Sequence, residues 1–276
     1  MQHTEGSFRG VDGLELYYQA WRPEAAPRAV LAVTHGFGEH SGRYKNVVDH
    51  FVPRGYAVYG FDLRGHGRSP GKRGFIRSWS EYRGDTEAFL KLVAEKEPRR
   101  PLFLYGHSLG GLIVLDYVLH TPEGPKGVIA SGPSLGAPGI SPFLLALSRI
   151  LSVILPSFAM DTKLDATTIS RDPLVVKAYK EDPLVHSMGT ARLGGEMNAT
   201  VQWTQAHAQD IRLPLLIVQG AEDRLAPAPD SRRFFDHVTY ADKERIEYPG
   251  GFHEPHNDIE HPKVMADIER WVERHL

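Results

Sequence analysis

The chain contains no cysteine. Disulfides and thiolate metal sites are excluded, and nothing favours an oxidising compartment. It also has no excess of charge of one sign. Against 32 Lys and Arg stand 34 Asp and Glu, a net charge of −2. A nucleic-acid partner needs a concentrated basic surface, so none is expected. Residues Met1 to Gly10 are polar and lack the apolar stretch of a signal peptide. A membrane-spanning helix needs about 20 apolar residues. The candidate run, Phe143 to Leu155, is shorter, is bracketed by Pro142 and Pro156, and is interrupted by Ser148, Arg149 and Ser152. No internal repeat or low-complexity tract occurs. A mean hydropathy of −0.32 and 24% charged residues place the chain among ordinary globular proteins, expected in the cytoplasm.

Two cofactor classes are also disfavoured. Fourteen histidines come without HExxH, paired cysteines or clustered carboxylates, so no metal is expected. Gly36-Phe37-Gly38 lacks the third glycine of a dinucleotide fingerprint; Ser41 stands in its place.

What the chain does have is alternation. Apolar runs at Leu14–Ala20, Ala29–Thr34, Tyr56–Asp62, Leu102–Tyr105, Gly127–Ala130, Leu215–Gln219 and Arg245–Tyr248 read as strands. Several are apolar on both faces, as buried parallel strands are. Helical patterns fall between them, at Ser80–Glu97, Leu109–Leu119, Ala228–Phe235 and Pro262–Arg274. This is the pattern of an α/β fold, a mostly parallel central sheet with helices on both faces. The alternation breaks after Pro133, and no convincing strand appears before it resumes. The expected division is a core of residues 1–133 and 206–276 with an inserted helical cap, residues 134–205. The apolar run Phe143 to Leu155 lies in that cap. It reads either as a helix buried there or as an apolar face that meets lipid transiently. An apolar mouth for the substrate favours the second.

Gly106-His107-Ser108-Leu109-Gly110 matches G-x-S-x-G, a sharp strand-to-helix turn with serine at its apex. A strand precedes it and a helical pattern follows. A second match, Gly132-Pro133-Ser134-Leu135-Gly136, is followed by Ala137-Pro138-Gly139, which cannot begin a helix with apolar periodicity. Ser108 is therefore the candidate nucleophile, and Ser134 a loop residue at the cap entrance. A serine nucleophile needs a base and a carboxylate, in the chain order Ser, Asp or Glu, His for this kind of turn. Glu222 and Asp223 follow the strand Leu215–Gln219, and His253, with His256 three positions later, follows the glycine-rich turn after the last strand. Donors for an oxyanion would be the backbone N–H groups of Leu109 and of Phe37, the latter in the loop after Val30–Thr34.

Together, His35-Gly36-Phe37-Gly38-Glu39-His40-Ser41-Gly42-Arg43-Tyr44, Asp62 to Ser69, Gly106 to Gly110, Gly220 to Arg224 and Gly250 to His256 resemble the monoacylglycerol lipase and lysophospholipase branch of the α/β-hydrolases. The resemblance implies Ser108, Asp223 and His253 as catalytic residues, the N–H groups of Phe37 and Leu109 as oxyanion hole, and Glu39, Arg43 and His256 as ligands of the substrate glycerol. A local ion pair between Glu39 and Arg43 that holds the loop is the alternative for those two. Phe37 is bulkier than the residue often found there in the branch. The expected activity is hydrolysis of a small lipid ester through an acyl-enzyme, without a cofactor. The rivals are a lysophospholipase, a general carboxylesterase, an aminopeptidase and a non-catalytic receptor for a hydrophobic ligand.

Overall fold

A computed structural model describes residues 1–136 and 150–276. Its main sheet runs through β1 (Gln2–Arg9), β2 (Glu15–Arg22), β3 (Val30–Thr34), β4 (Ala57–Phe61), β5 (Leu102–His107), β6 (Gly127–Ser131), β9 (Leu215–Gly220) and β10 (Lys243–Tyr248). The spatial order is β1-β2-β4-β3-β5-β6-β9-β10. The β1–β2 and β2–β4 pairs are antiparallel, and all later neighbours are parallel. Every residue of β3, β4, β6 and β9 is buried, because helices cover both faces.

The pleat divides the core between those faces. Leu104, Val128 and Ile217 pack with Phe89 of α2 (Trp79–Lys96) and with Leu112 and Leu115 of α3 (Leu109–His120). The alternate residues Phe103, Ile129 and Val218 pack with Val47 and Val48 of α1 (Lys45–Phe51) and with Ile268 and Trp271 of the last helix, His261–Glu273. Helix α3 is apolar almost all round and almost wholly buried, as a helix at the centre of a large α/β core must be.

β1 was not expected, since its residues are mostly polar and exposed. It is an edge strand held by its ladder to β2, which leaves no apolar alternation to read.

Between β6 and β9 the described residues include a helical stretch at 150–154 and the helices α4 (Pro173–Glu181) and α5 (Ala191–Ala206). Asp172 and Thr190 cap α4 and α5 by accepting from the N–H groups of Leu174 and Leu193. Two short strands, β7 (Ala159–Asp161) and β8 (Met188–Thr190), pair antiparallel and correct the expectation of no strand here. At three residues each, they are too short for alternation to show. After α6 (Ala228–His237) and β10, the final helix is α7 (His261–Glu273). This segment is tied to the loops after β3 and β4: His186 N–H donates to Gly38 O at 2.8 Å, and Thr190 Oγ1 to Gly74 O at 2.6 Å. Most of the apolar run from Phe143 lies outside the described residues. Its end is described, and there Ile150, Val153 and Ile154 are exposed. Among the described residues no helix is long and apolar enough to cross a membrane.

Candidate active site

Parallel strands deliver their loops to one edge of the sheet, where side chains distant in sequence converge. At the end of β5 the chain turns sharply into α3. Ser108, at the apex, has φ 54° and ψ −116°, an unfavourable conformation for a residue with a side chain. The turn needs the flanking glycines. A Cβ on Gly106 would lie 2.3 Å from Gly110 O, and one on Gly110 would lie 2.1 Å from Thr34 O.

His253, beyond β10, reaches across the edge. Its Nε2 lies 2.9 Å from Ser108 Oγ and its Nδ1 2.8 Å from Asp223 Oδ2. Asp223 is buried and fully engaged. Its Oδ1 accepts from the N–H groups of Leu225 and Ala226, and its Oδ2 also accepts from Gln219 Nε2. Glu222 points to solvent, so of the two adjacent acids Asp223 is the one that meets His253. Burial disfavours charge on His253, but the Asp223 carboxylate outweighs it and holds the imidazole pKa above its ordinary value.

Leu109 is the first residue of α3, so its N–H has no carbonyl within the helix to meet. Across the cleft, the loop after β3 brings Gly36 and Phe37 against Ser108; a Cβ on Gly36 would lie 3.2 Å from Ser108 Cβ. The Gly36 N–H donates to Glu39 Oε1 at 2.6 Å, which sets the curvature of that loop.

The polar wall beside Ser108 is an ion cluster. Arg43 Nη1 donates to Glu39 Oε2 at 2.6 Å, and Arg43 is also bidentate to Glu254, at 2.7 and 2.9 Å. Tyr44 OH adds a bond to Glu39 at 2.9 Å. All three charged side chains are under 10% exposed, so the pairing is what permits their burial. Burial alone would raise the pKa of Glu39, yet the Arg43 guanidinium holds it well below the usual carboxylate range. Tyr179 of α4 lies over the Arg43 guanidinium, 4.6 Å from the ring centroid.

His256 departs from its expected place. It is fully buried, stacked on the Tyr44 ring at 4.8 Å, and does not line the cleft. Burial pushes its pKa down to about 4, and neither ring nitrogen has a hydrogen-bond partner among the described residues. Glu254, the neighbour of His253, takes the place on the wall. The sequence reading missed it, because its partner Arg43 is 211 positions away. Leu164, Ile169 and Leu225 supply apolar lining that no motif announced. A larger cavity of about 280 Å³ opens by Val30 and Leu102, at the opposite ends of β3 and β5, away from Ser108. No group of three or more metal-ligating side chains occurs among the described residues.

Residues 25–260 match the family Hydrolase_4, described as serine aminopeptidase, S33. Over 99% of its length the chain is 38% identical to a monoacylglycerol lipase of Mycolicibacterium smegmatis, covering 98% of that protein. The fold superposes on the crystal structure of a monoacylglycerol lipase from Paleococcus ferrophilus with a TM-score of 0.88. That pair is 34% identical, over 95% of this chain and 100% of the other. A monoglyceride lipase of Saccharomyces cerevisiae, in complex with a substrate analog, gives a TM-score of 0.86 at 26% identity, over 97% and 94% of the two chains. The chain is thus a hydrolase, and it belongs to the monoacylglycerol lipase branch of the α/β-hydrolase superfamily.

Proposed function

We propose that the protein hydrolyses monoacylglycerols to a fatty acid and glycerol through an acyl-enzyme on Ser108. The observation that carries this is the chain of contacts Ser108 Oγ, His253, Asp223, set beside the polar wall of Glu39, Arg43 and Glu254. Ser108 Oγ attacks the ester carbonyl while its proton passes to His253 Nε2. Asp223 holds the imidazole in place and stabilises the imidazolium. The N–H groups of Phe37 and Leu109 receive the oxyanion. Collapse of the tetrahedral intermediate expels the alkoxide of glycerol, which takes the proton from His253. Water, deprotonated by the same imidazole, then releases the fatty acid.

Glu39 and Arg43 are the groups we assign to the glycerol hydroxyls. Their mutual ion pair also holds the loop, so the two readings of these residues are compatible. Residues 134–205 form the cap in this reading, and Leu164, Ile169 and Tyr179 line the acyl side of the cleft. Exposed Val153, Ile154, Phe158 and Met160 support transient contact of the cap with a lipid surface. The aminopeptidase reading needs a free carboxylate for a substrate ammonium group. Glu39 and Glu254 both face the cleft, but each is committed to Arg43, which disfavours it.

Purified protein should hydrolyse a monoacylglycerol on the order of tenfold or more faster than the matching diacylglycerol or lysophospholipid. Equal rates on all three would remove the glycerol assignment and leave only the ester hydrolase. The pH profile gives a second expectation. His253 acts as a base only when neutral, and its pKa is raised. Activity should therefore fall on acidification with a midpoint in kcat/KM above the ordinary histidine value of about 6.5. In Asp223→Asn the residual activity should show that midpoint at lower pH. An unmoved midpoint would mean that Asp223 does not set the charge state of His253.

A further inference from the structure

Ser134 belongs to the second G-x-S-x-G match, and in the fold it is not a bystander. Because β6 lies next to β5, the chain leaving β6 passes the elbow directly. Ser134 N–H donates to Ser108 O at 3.1 Å, and Ser134 Oγ lies 3.3 Å from Ser108 Oγ. Ser134 is 9% exposed, and Leu135 beside it is fully buried, so the hydroxyl is held at this spot.

The direction of that contact follows from proton counting. His253 Nδ1 faces a carboxylate oxygen and therefore carries the ring proton. In the neutral imidazole, the form that acts as base, Nε2 is then a lone pair, and the bond at 2.9 Å is donated by Ser108 Oγ–H. A hydroxyl has one proton, so toward Ser134 the Ser108 oxygen can only accept. Ser134 is the donor.

We infer that Ser134 is a further catalytic residue, a hydroxyl that donates to the nucleophile oxygen itself from the β6 side, opposite the oxyanion loop that follows β3. In the resting site it occupies one lone pair of Ser108 and so keeps the Ser108 proton aimed at His253. At 3.3 Å the contact is longer than a tight O–H···O bond. As Ser108 loses its proton, negative charge grows on Oγ, and a hydrogen bond to a charged acceptor shortens and strengthens. The gain is therefore made in the transition state more than in the ground state. During attack the Ser108 oxygen forms its bond to the carbonyl carbon, the Ser108 proton moves to His253, and the carbonyl π electrons go to the oxyanion. Ser134 keeps its proton throughout.

This inference rests on Ser108 being the nucleophile, and the test separates the two. Wild type, Ser108→Ala, Ser134→Ala and Ser134→Thr would be compared in their inactivation rate by a small neutral fluorophosphonate. Steady-state constants on a soluble nitrophenyl ester and melting temperature would be measured alongside. Losing one hydrogen bond should slow inactivation and lower kcat by about five- to tenfold in Ser134→Ala. KM and melting temperature should hardly move, and Ser134→Thr, which keeps the hydroxyl, should recover most of the rate. Inactivation of Ser134→Ala at the wild-type rate or faster would overturn the inference while leaving the nucleophile intact. Wild type that is not labelled at Ser108 would overturn both.

Discussion

Replacing Ser108 by alanine should reduce ester hydrolysis by about 10⁴-fold or more, at an unchanged melting temperature. The size follows from the division of labour at the site. Without Ser108 Oγ there is no acyl-enzyme, and only the oxyanion donors and binding would act on the substrate. Alanine suffers from the φ of 54° as serine does, so the backbone strain is not relieved and stability should hardly change. The same substitution should abolish covalent labelling by a fluorophosphonate. Mass spectrometry of the labelled wild-type protein should place the adduct on the peptide containing Ser108. Adduct on Ser134, or substantial turnover by Ser108→Ala, would transfer the nucleophile to the second motif and undo the proposed mechanism.

The second large effect concerns stability. Arg43→Met should cost about 3–5 kcal/mol, because it leaves Glu39 and Glu254 buried, facing each other and without a cation. For a chain of this size that lowers the melting temperature on the order of 10 °C. The pH dependence carries the sign. In the wild type Glu39 has a depressed pKa, so its contribution is present above the pKa of an unfolded glutamate and fades as pH falls through the folded value. In the variant the buried Glu39 carboxylate, without its cation, would be raised instead, and acidification should narrow the gap between the two proteins. His256→Phe, packed against Tyr44 and His107, replaces a buried neutral ring by one of similar size. It should change stability by less than about 1.5 kcal/mol. A melting temperature untouched by Arg43→Met would mean that the cluster is not a buried charged network.

The chain by itself determined the type of fold and singled out Ser108 as the candidate nucleophile. Apolar runs between helical patterns are a direct physical record of buried parallel strands, and the seven expected strands all occur, with ends shifted by at most two residues. The elbow was legible because its geometry is local: two glycines, a serine, a strand before and a helix after. The proposal of Phe37 and Leu109 as oxyanion donors has the same local basis, since candidate backbone donors follow from where a loop or helix begins. Asp223 and His253 were narrowed to a pair of neighbours and to two histidines by their places after strands. The resemblance chose Asp223 and His253 among these, and in the fold those two form the contacts that lead to Ser108, which depends on side-chain direction at the sheet edge.

Tertiary structure alone decided the polar wall. Glu254 and Arg43 are joined by a bond between loops after β10 and β3, and no local pattern encodes a contact across the sheet. His256, which the resemblance placed with the substrate, is buried between Tyr44 and His107, while the same turn carries Glu254 to the cleft. Ser134 was set aside by local context, because Ala137-Pro138-Gly139 cannot begin a helix with apolar periodicity; those three residues lie outside the described ones. Sequence could not show that β6 runs beside β5 and so brings its hydroxyl to the nucleophile. The dividing line is the range of the interaction. Periodicity and turn chemistry are written in neighbouring residues, whereas charge pairing and hydroxyl contacts exist only once distant strands lie side by side.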